Sequence, residues 1–134
     1  MSSAPPFLDS NVLIYAYSTD PRSVIARSIC EKRHTLSVQS LNEFVNVARR
    51  KLHYDWDQII ERLTTIVDLA DPILPLTFNL HQTGVMLAAT YRLQVYDGMI
   101  LAAALEAGCT QLYSEDMHHG LVIEERLTIL NPFA

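Results

Sequence analysis

A parallel, layered α/β fold is predicted by three features of the sequence. Short apolar runs recur at Phe7-Leu8, Thr35 to Val38, Ile73 to Leu76, Gln111 to Ser114 and Leu127 to Leu130. Helical patterns separate most of these runs, and that alternation indicates strands buried on both faces by helices. The acidic residues set inside apolar segments also fall at the ends of predicted strands, where open α/β sheets bind their ligands.

Pro5-Pro6 leads into the first strand, a position that tolerates proline. Asn11 to Tyr17 reads as a helical turn or two. Pro21 starts a helix to about Lys32, with Asp20 before it as the cap. Thr35 to Val38 is the second strand. Ser40 is the expected cap of the next helix, and Glu43 lies three residues on, at capping-box spacing. Leu41, Phe44, Val45, Ala48 and Leu52 supply its apolar stripe. Asp55 or a neighbour opens a fourth helix, with Trp56, Ile59, Ile60, Leu63, Ile66 and Val67 on one face. Asp71-Pro72 ends it. Ile73 to Leu76 is a third strand, placed at a sheet edge by Pro75. Leu80, Gly84, Leu87, Ala88 and Tyr91 mark a fifth helix. Asp97 opens a sixth, which runs through Ala107 and is closed by Gly108. The runs at 111–114 and 127–130 complete a sheet of about five strands.

At 134 residues the chain is expected to be one domain, residues 1–134. Its 49% hydrophobic content argues against disorder and repeat architectures. No basic segment precedes Pro5-Pro6, so no secretory signal is expected. The longest charge-free span, Pro72 to Tyr91, holds two prolines together with Asn79, His81 and Gln82, a poor membrane helix. A soluble protein is therefore expected. Cys30 and Cys109 make no disulfide framework and have no histidine at zinc-ligand spacing. They read as buried free thiols in a reducing cytosol. A net charge of −5 argues against a broad basic nucleic-acid footprint without excluding nucleic acid.

The location of the acids carries the functional signal. In F-L-D-S-N-V-L-I-Y-A, Asp9 is framed by apolar residues, although burying an unpaired charge is costly. Glu43 lies in the first turn after the second strand, and Asp116 just past the fourth. Asp97 joins them if its helix begins on the same edge. Each has an ordinary alternative. Asp97 suits a helix cap, Glu43 a capping box and Asp116 a turn, and Asp-Ser-Asn is common turn chemistry. Together they form a cluster whose mutual repulsion raises carboxyl pKa values unless a cation intervenes. Hard oxygen donors suit Mg²⁺ or Mn²⁺, ions that activate water and clamp phosphodiester oxygens.

At these residues the sequence resembles the PIN-domain ribonucleases, especially the VapC-type toxins of toxin–antitoxin systems. The matching segments are F-L-D-S-N-V-L-I-Y-A, S-L-N-E-F, Y-D-G-M-I-L-A-A-A-L-E-A-G-C and L-Y-S-E-D, in family order across nearly the whole chain. The resemblance implies a three-layer α/β/α sandwich, PIN-like, around a short, mainly parallel sheet. It implies a catalytic, metal-binding quartet at Asp9, Glu43, Asp97 and Asp116, with Asn11 and Ser114 behind it as positioning residues. It further implies Mg²⁺ or Mn²⁺ as cofactor, an RNA substrate cut to leave a 5′-phosphate and a 3′-hydroxyl, a cognate antitoxin, a homodimer and a cytoplasmic location with no membrane partner. Two positions depart from the pattern. Gly98 stands where alanine or another small residue is usual and is expected to loosen the helix start. Glu115 adds an acid that either faces solvent or stands in as a ligand.

Other features read as structural. Arg49-Arg50-Lys51 with His53 suits a helix C-terminus, the alternative being an RNA-backbone contact. His118-His119 reads as a solvated loop, and Tyr15, Tyr17 and Phe44 as core or dimer surface. Glu61, Glu124, Glu125 and Arg126 read as solvated faces. Two rival functions remain. One is a catalytically silent PIN-like module that binds RNA or protein. The other is a haloacid-dehalogenase-like phosphatase, disfavoured because Asn11 occupies its second acid position and Lys32 and Lys51 are the only lysines.

Overall fold

The computed structural model describes residues 4–134. The expected lack of a leader segment falls in part on Met1 to Ser3, outside the described residues. In chain order the elements are β1 (Phe7–Leu8), α1 (Ser10–Ala16), α2 (Ser23–Cys30), β2 (His34–Ser37), α3 (Val38–Arg50), α4 (Trp56–Asp68), β3 (Ala70–Leu74), α5 (Phe78–Tyr91), α6 (Val95–Ala107), β4 (Gln111–Tyr113), β5 (Val122–Ile123) and β6 (Leu127–Leu130). The strands form one sheet in the order β3-β2-β1-β4-β6-β5. Every pairing is parallel except β5 with β6.

The two-residue strand β1 lies at the centre and divides the core. Phe7 packs with Leu101, Leu112 and Ile129 beside α5 and α6. Leu8, one residue on, packs with Leu13, Leu36, Phe44 and Ile59 beside the first four helices. Alternation along a strand thus seeds one apolar layer on each side of the sheet, giving the α/β/α sandwich. Helices that precede parallel strands run antiparallel to them. The N-terminus of α6 therefore lies at the carboxyl edge of β4, the edge that carries Asp9 and Asp116.

Several element boundaries differ from expectation. The sheet has six strands, because Val122–Ile123 pairs with β6 through a turn at Glu124 and Glu125. Both turn residues have positive φ, 52° and 58°, a conformation that usually calls for Asn or Gly, so the sequence carries no hairpin signal there. β3 begins at Ala70 and contains Pro72. It is an edge strand, so the missing N–H is tolerated. Helix α2 begins at Ser23, and Asp20 binds Arg22 rather than capping it. Ser37, not Ser40, caps α3, accepting the Ser40 N–H at 3.3 Å. α4 starts as expected, with a capping box between Asp55 and Gln58. Its face is narrower than the pattern suggests, since Ile59 and Ile66 are buried while Trp56, Ile60 and Val67 are exposed.

Candidate active site at the carboxyl edge of the sheet

Asp9 ends β1 and caps α1. Its backbone N–H donates to the Tyr113 carbonyl at 3.0 Å, tying the turn to β4. Oδ1 accepts the Ser10 N–H at 2.7 Å, and Oδ2 accepts the Ser114 hydroxyl at 2.8 Å. The residue is only 4% exposed. Burial pushes its carboxyl up to about 7, against the pull of the hydrogen bonds from Ser114 and Ser10, and the charges of Glu43 and Asp97 add to the rise.

Glu43 projects from the second turn of α3. Its Oε2 accepts the Ser10 hydroxyl at 2.6 Å and its Oε1 accepts the Gln39 amide at 2.9 Å. The expected capping box with Ser40 is therefore replaced by a tether to α1. The Ser40 hydroxyl instead donates to the Leu8 carbonyl at 3.4 Å.

Asp97 is the third residue of α6, whose cap is Gln94. The expectation that Asp97 opens the helix is corrected accordingly, although its charge still favours the helix N-terminus. Burial raises its carboxyl above the ordinary range, and the nearby charges of Asp116 and Glu43 raise it further. Gly98 behind it is buried. A Cβ there would lie 2.1 Å from the Gly84 carbonyl oxygen of α5. The glycine thus permits a close helix crossing rather than loosening the helix start, and that crossing sets where Asp97 stands.

Asp116 lies in the loop after β4. Its Oδ2 accepts the Asn11 amide at 3.2 Å, and its backbone N–H donates to the Ser114 hydroxyl at 3.3 Å. Asn11 also approaches Asp9 Oδ2, at 3.4 Å, and so spans the two acids.

The four acids share one edge and act on one another electrostatically. Among the described residues, no three His, Cys, Asp or Glu side chains stand together as a ready-made ligand cage. The donor set is nevertheless that of a hard divalent cation: carboxylate oxygens, one of them deeply buried and bonded to no side-chain cation among the described residues. Hydrogen bonds from Ser10, Gln39, Asn11 and Ser114 fix the orientation of these oxygens.

Glu115 is partly buried, and both of its carboxylate oxygens are bonded within the protein. Its Oε1 accepts the Tyr15 hydroxyl at 2.6 Å and its Oε2 accepts Arg22 Nη1 at 2.9 Å. Sequence reasoning missed the roles of Ser10, Gln39, Tyr15 and Arg22. Ser10 stood inside the quoted Asp-Ser-Asn triplet, but nothing local pointed to Glu43.

The remaining sequence features lie elsewhere. Arg49 stacks over Trp56 at 4.8 Å and donates to the Tyr54 carbonyl at 3.2 Å. It sits at the C-terminal end of α3, about 10 Å along the helix from Glu43. His119 accepts the Asn131 N–H at 2.8 Å, bracing the exit from β6. Cys109 is buried, whereas Cys30 is only half-buried, with its thiol pushed up to about 12. No helix among the described residues is long and apolar enough to cross a membrane.

A parallel α/β/α sandwich with acids gathered at its carboxyl edge is the class that fold and site define. The model of the PIN domain matches residues 7–120, and the chain belongs to the PIN-domain family. Solved structures share the fold at low identity. A chain of a toxin–antitoxin complex from Klebsiella pneumoniae superposes with a TM-score of 0.70 at 18% identity, covering 95% of this chain and 97% of its own. VapC20 of Mycobacterium tuberculosis, a sarcin–ricin loop cleaving toxin, superposes with a TM-score of 0.65 at 13% identity, covering 82% and 90%. No curated protein sequence matches the chain significantly.

Proposed function

We propose that the protein is a divalent-metal-dependent endoribonuclease, its 134 residues acting as one nuclease domain. The observation that carries this reading is the buried Asp9 carboxylate, which hydrogen bonds hold at the sheet edge and which, among the described residues, no side-chain cation bonds. Three further acids bear on the same edge, two of them adding directly to the rise at Asp9. Asp9, Asp97 and Asp116 would hold Mg²⁺ or Mn²⁺, with Glu43 joining directly or through water. When bound, the ion stabilises charge on the phosphodiester oxygens and activates water for attack. The chain's own part is orientation. Ser114 and Asn11 align Asp9 with Asp116, and the Ser10 and Gln39 bonds restrain Glu43.

RNA as the substrate, and a biological role as the toxin of a toxin–antitoxin pair, rest on family membership and on the named activities of the structural neighbours. A cognate antitoxin, a homodimer and a cytoplasmic location belong to the same reading. The test is cleavage of pooled cellular RNA by purified, antitoxin-free protein with Mn²⁺ or Mg²⁺, beside a chelator control. Cleavage is expected to require metal, and Asp9→Asn to lower it by about 100-fold or more. A folded, Mn²⁺-binding protein that cleaves none of a varied RNA set would instead be a binding module.

A further inference from the structure

We propose that Arg22 and Tyr15, acting through Glu115, form a clasp that holds the loop after β4 against α1 and so positions the Asp116 carboxylate. The clasp deepens the nuclease reading and rests on it only for the role given to Asp116.

Asp116 needs such a restraint. It is exposed, lies outside any helix or strand, and feels the like charge of Asp97. The Asn11 contacts with the loop are long, 3.2 Å to Asp116 Oδ2 and 3.3 Å from the Glu115 N–H to Asn11 Oδ1. Contacts of that length are modest holds against repulsion between full charges.

The stronger grip is one residue earlier. Both carboxylate oxygens of Glu115 are held, one by the Tyr15 hydroxyl at 2.6 Å and the other by Arg22 at 2.9 Å. Arg22 is itself oriented before it reaches Glu115. Its Nε and Nη2 bind Asp20 Oδ1 and Oδ2 at 2.8 and 2.7 Å, a two-point fork. The guanidinium lies 4.3 Å from the Tyr15 ring centroid, and that ring packs edge-on against Phe133 at 5.1 Å. An isolated, half-exposed ion pair contributes little. Here the fork, the stacked ring and the hydroxyl converge on one carboxylate, so little freedom is lost when Glu115 is gripped. Asp20, Arg22 and Glu115 are only partly buried, and none belongs to either core cluster. The Tyr15 ring packs against the core cluster around Leu8, but Tyr15→Phe keeps that ring and removes only its hydroxyl, so neither it nor an Arg22 substitution disturbs the core.

The experiment is residue-resolved hydrogen exchange by NMR on the metal-free protein, comparing wild type with Arg22→Ala, Arg22→Lys and Tyr15→Phe. Calorimetric titration with Mn²⁺ follows on the same proteins. Arg22→Ala and Tyr15→Phe are each expected to speed exchange of the Glu115 and Asp116 amides about tenfold, with α6 and β4 unchanged. Mn²⁺ affinity is expected to fall by a similar factor of about ten. Arg22→Lys, which keeps the charge but not the fork, recovers only part of each effect. Unchanged exchange at Glu115 and Asp116, or acceleration spread evenly over the chain, overturns the clasp. A wild-type protein that neither binds Mn²⁺ nor cleaves RNA overturns the nuclease reading instead, and the exchange data then judge the clasp alone.

Discussion

Replacing Asp9 with asparagine should stabilise the metal-free protein at neutral and alkaline pH while lowering the proposed nuclease activity. The Asp9 carboxyl is pushed from 3.8 to about 7, chiefly by burial. Below pH 3.8 it is protonated in both the folded and unfolded states, and the full stability is present. As pH rises the unfolded chain gives up the proton first, and stability is lost until the folded group also ionises near 7. A rise of that size corresponds to about 4 kcal/mol of disfavoured charge. Asparagine carries no charge and still accepts the Ser10 N–H, but its amide nitrogen takes the place of Oδ2 and faces the Ser114 hydroxyl and the Asn11 amide that donated there, an offset of about 2 kcal/mol. The expected net gain for Asp9→Asn at pH 8 in chelator is therefore about 2 kcal/mol; near pH 4 the wild-type penalty is nearly gone while the offset remains, so the variant becomes the less stable by about 1–2 kcal/mol. Urea unfolding followed by circular dichroism reads this as a midpoint shift of about 1–2 M. Saturating Mn²⁺ should reverse the order at pH 8, because only the wild type keeps the full proposed ligand set. A wild type at least as stable as Asp9→Asn in chelator at pH 8 would refute the argument that Asp9 is a buried charge awaiting a cation.

Gly98→Ala should cost about 3 kcal/mol in urea unfolding, because its Cβ would meet the Gly84 carbonyl oxygen at 2.1 Å and backbone cannot give way cheaply. An unchanged midpoint would mean that α5 and α6 do not pack as closely as described. His34→Phe should cost about 1–3 kcal/mol by the same assay. The buried imidazole has Nδ1 at 2.8 Å from the Lys32 carbonyl and Nε2 at 3.2 Å from that of Ile66, in the last turn of α4. Phenylalanine has no donor for either oxygen, and full stability in that variant would show that water replaces the ring.

Information that is local in the chain was legible before any coordinates. The order of strands and helices, the two-sided burial of β1 and the stripe of α3 follow from periodicities of two and 3.6, which neighbouring residues alone set. The four acids stood out because each interrupts an apolar segment, and the family motifs supplied their joint meaning. What stayed hidden depends on residues far apart in the chain. Ser10 holds Glu43 across 33 positions, and Tyr15 holds Glu115 across 100. Ser37 rather than Ser40 caps α3, because strand β2 ends at the former. The β5–β6 hairpin turns through two glutamates in a conformation their type rarely adopts. Gly98 looked like a weakened helix start until α5 was placed against it. Spacing alone did not bring Asp97 to the other acids; the parallel topology does, setting the start of α6 at the carboxyl edge of the sheet. Composition and spacing chose the chemical groups. Their alignment came from hydrogen bonds and close packing between distant segments, which no local pattern encodes.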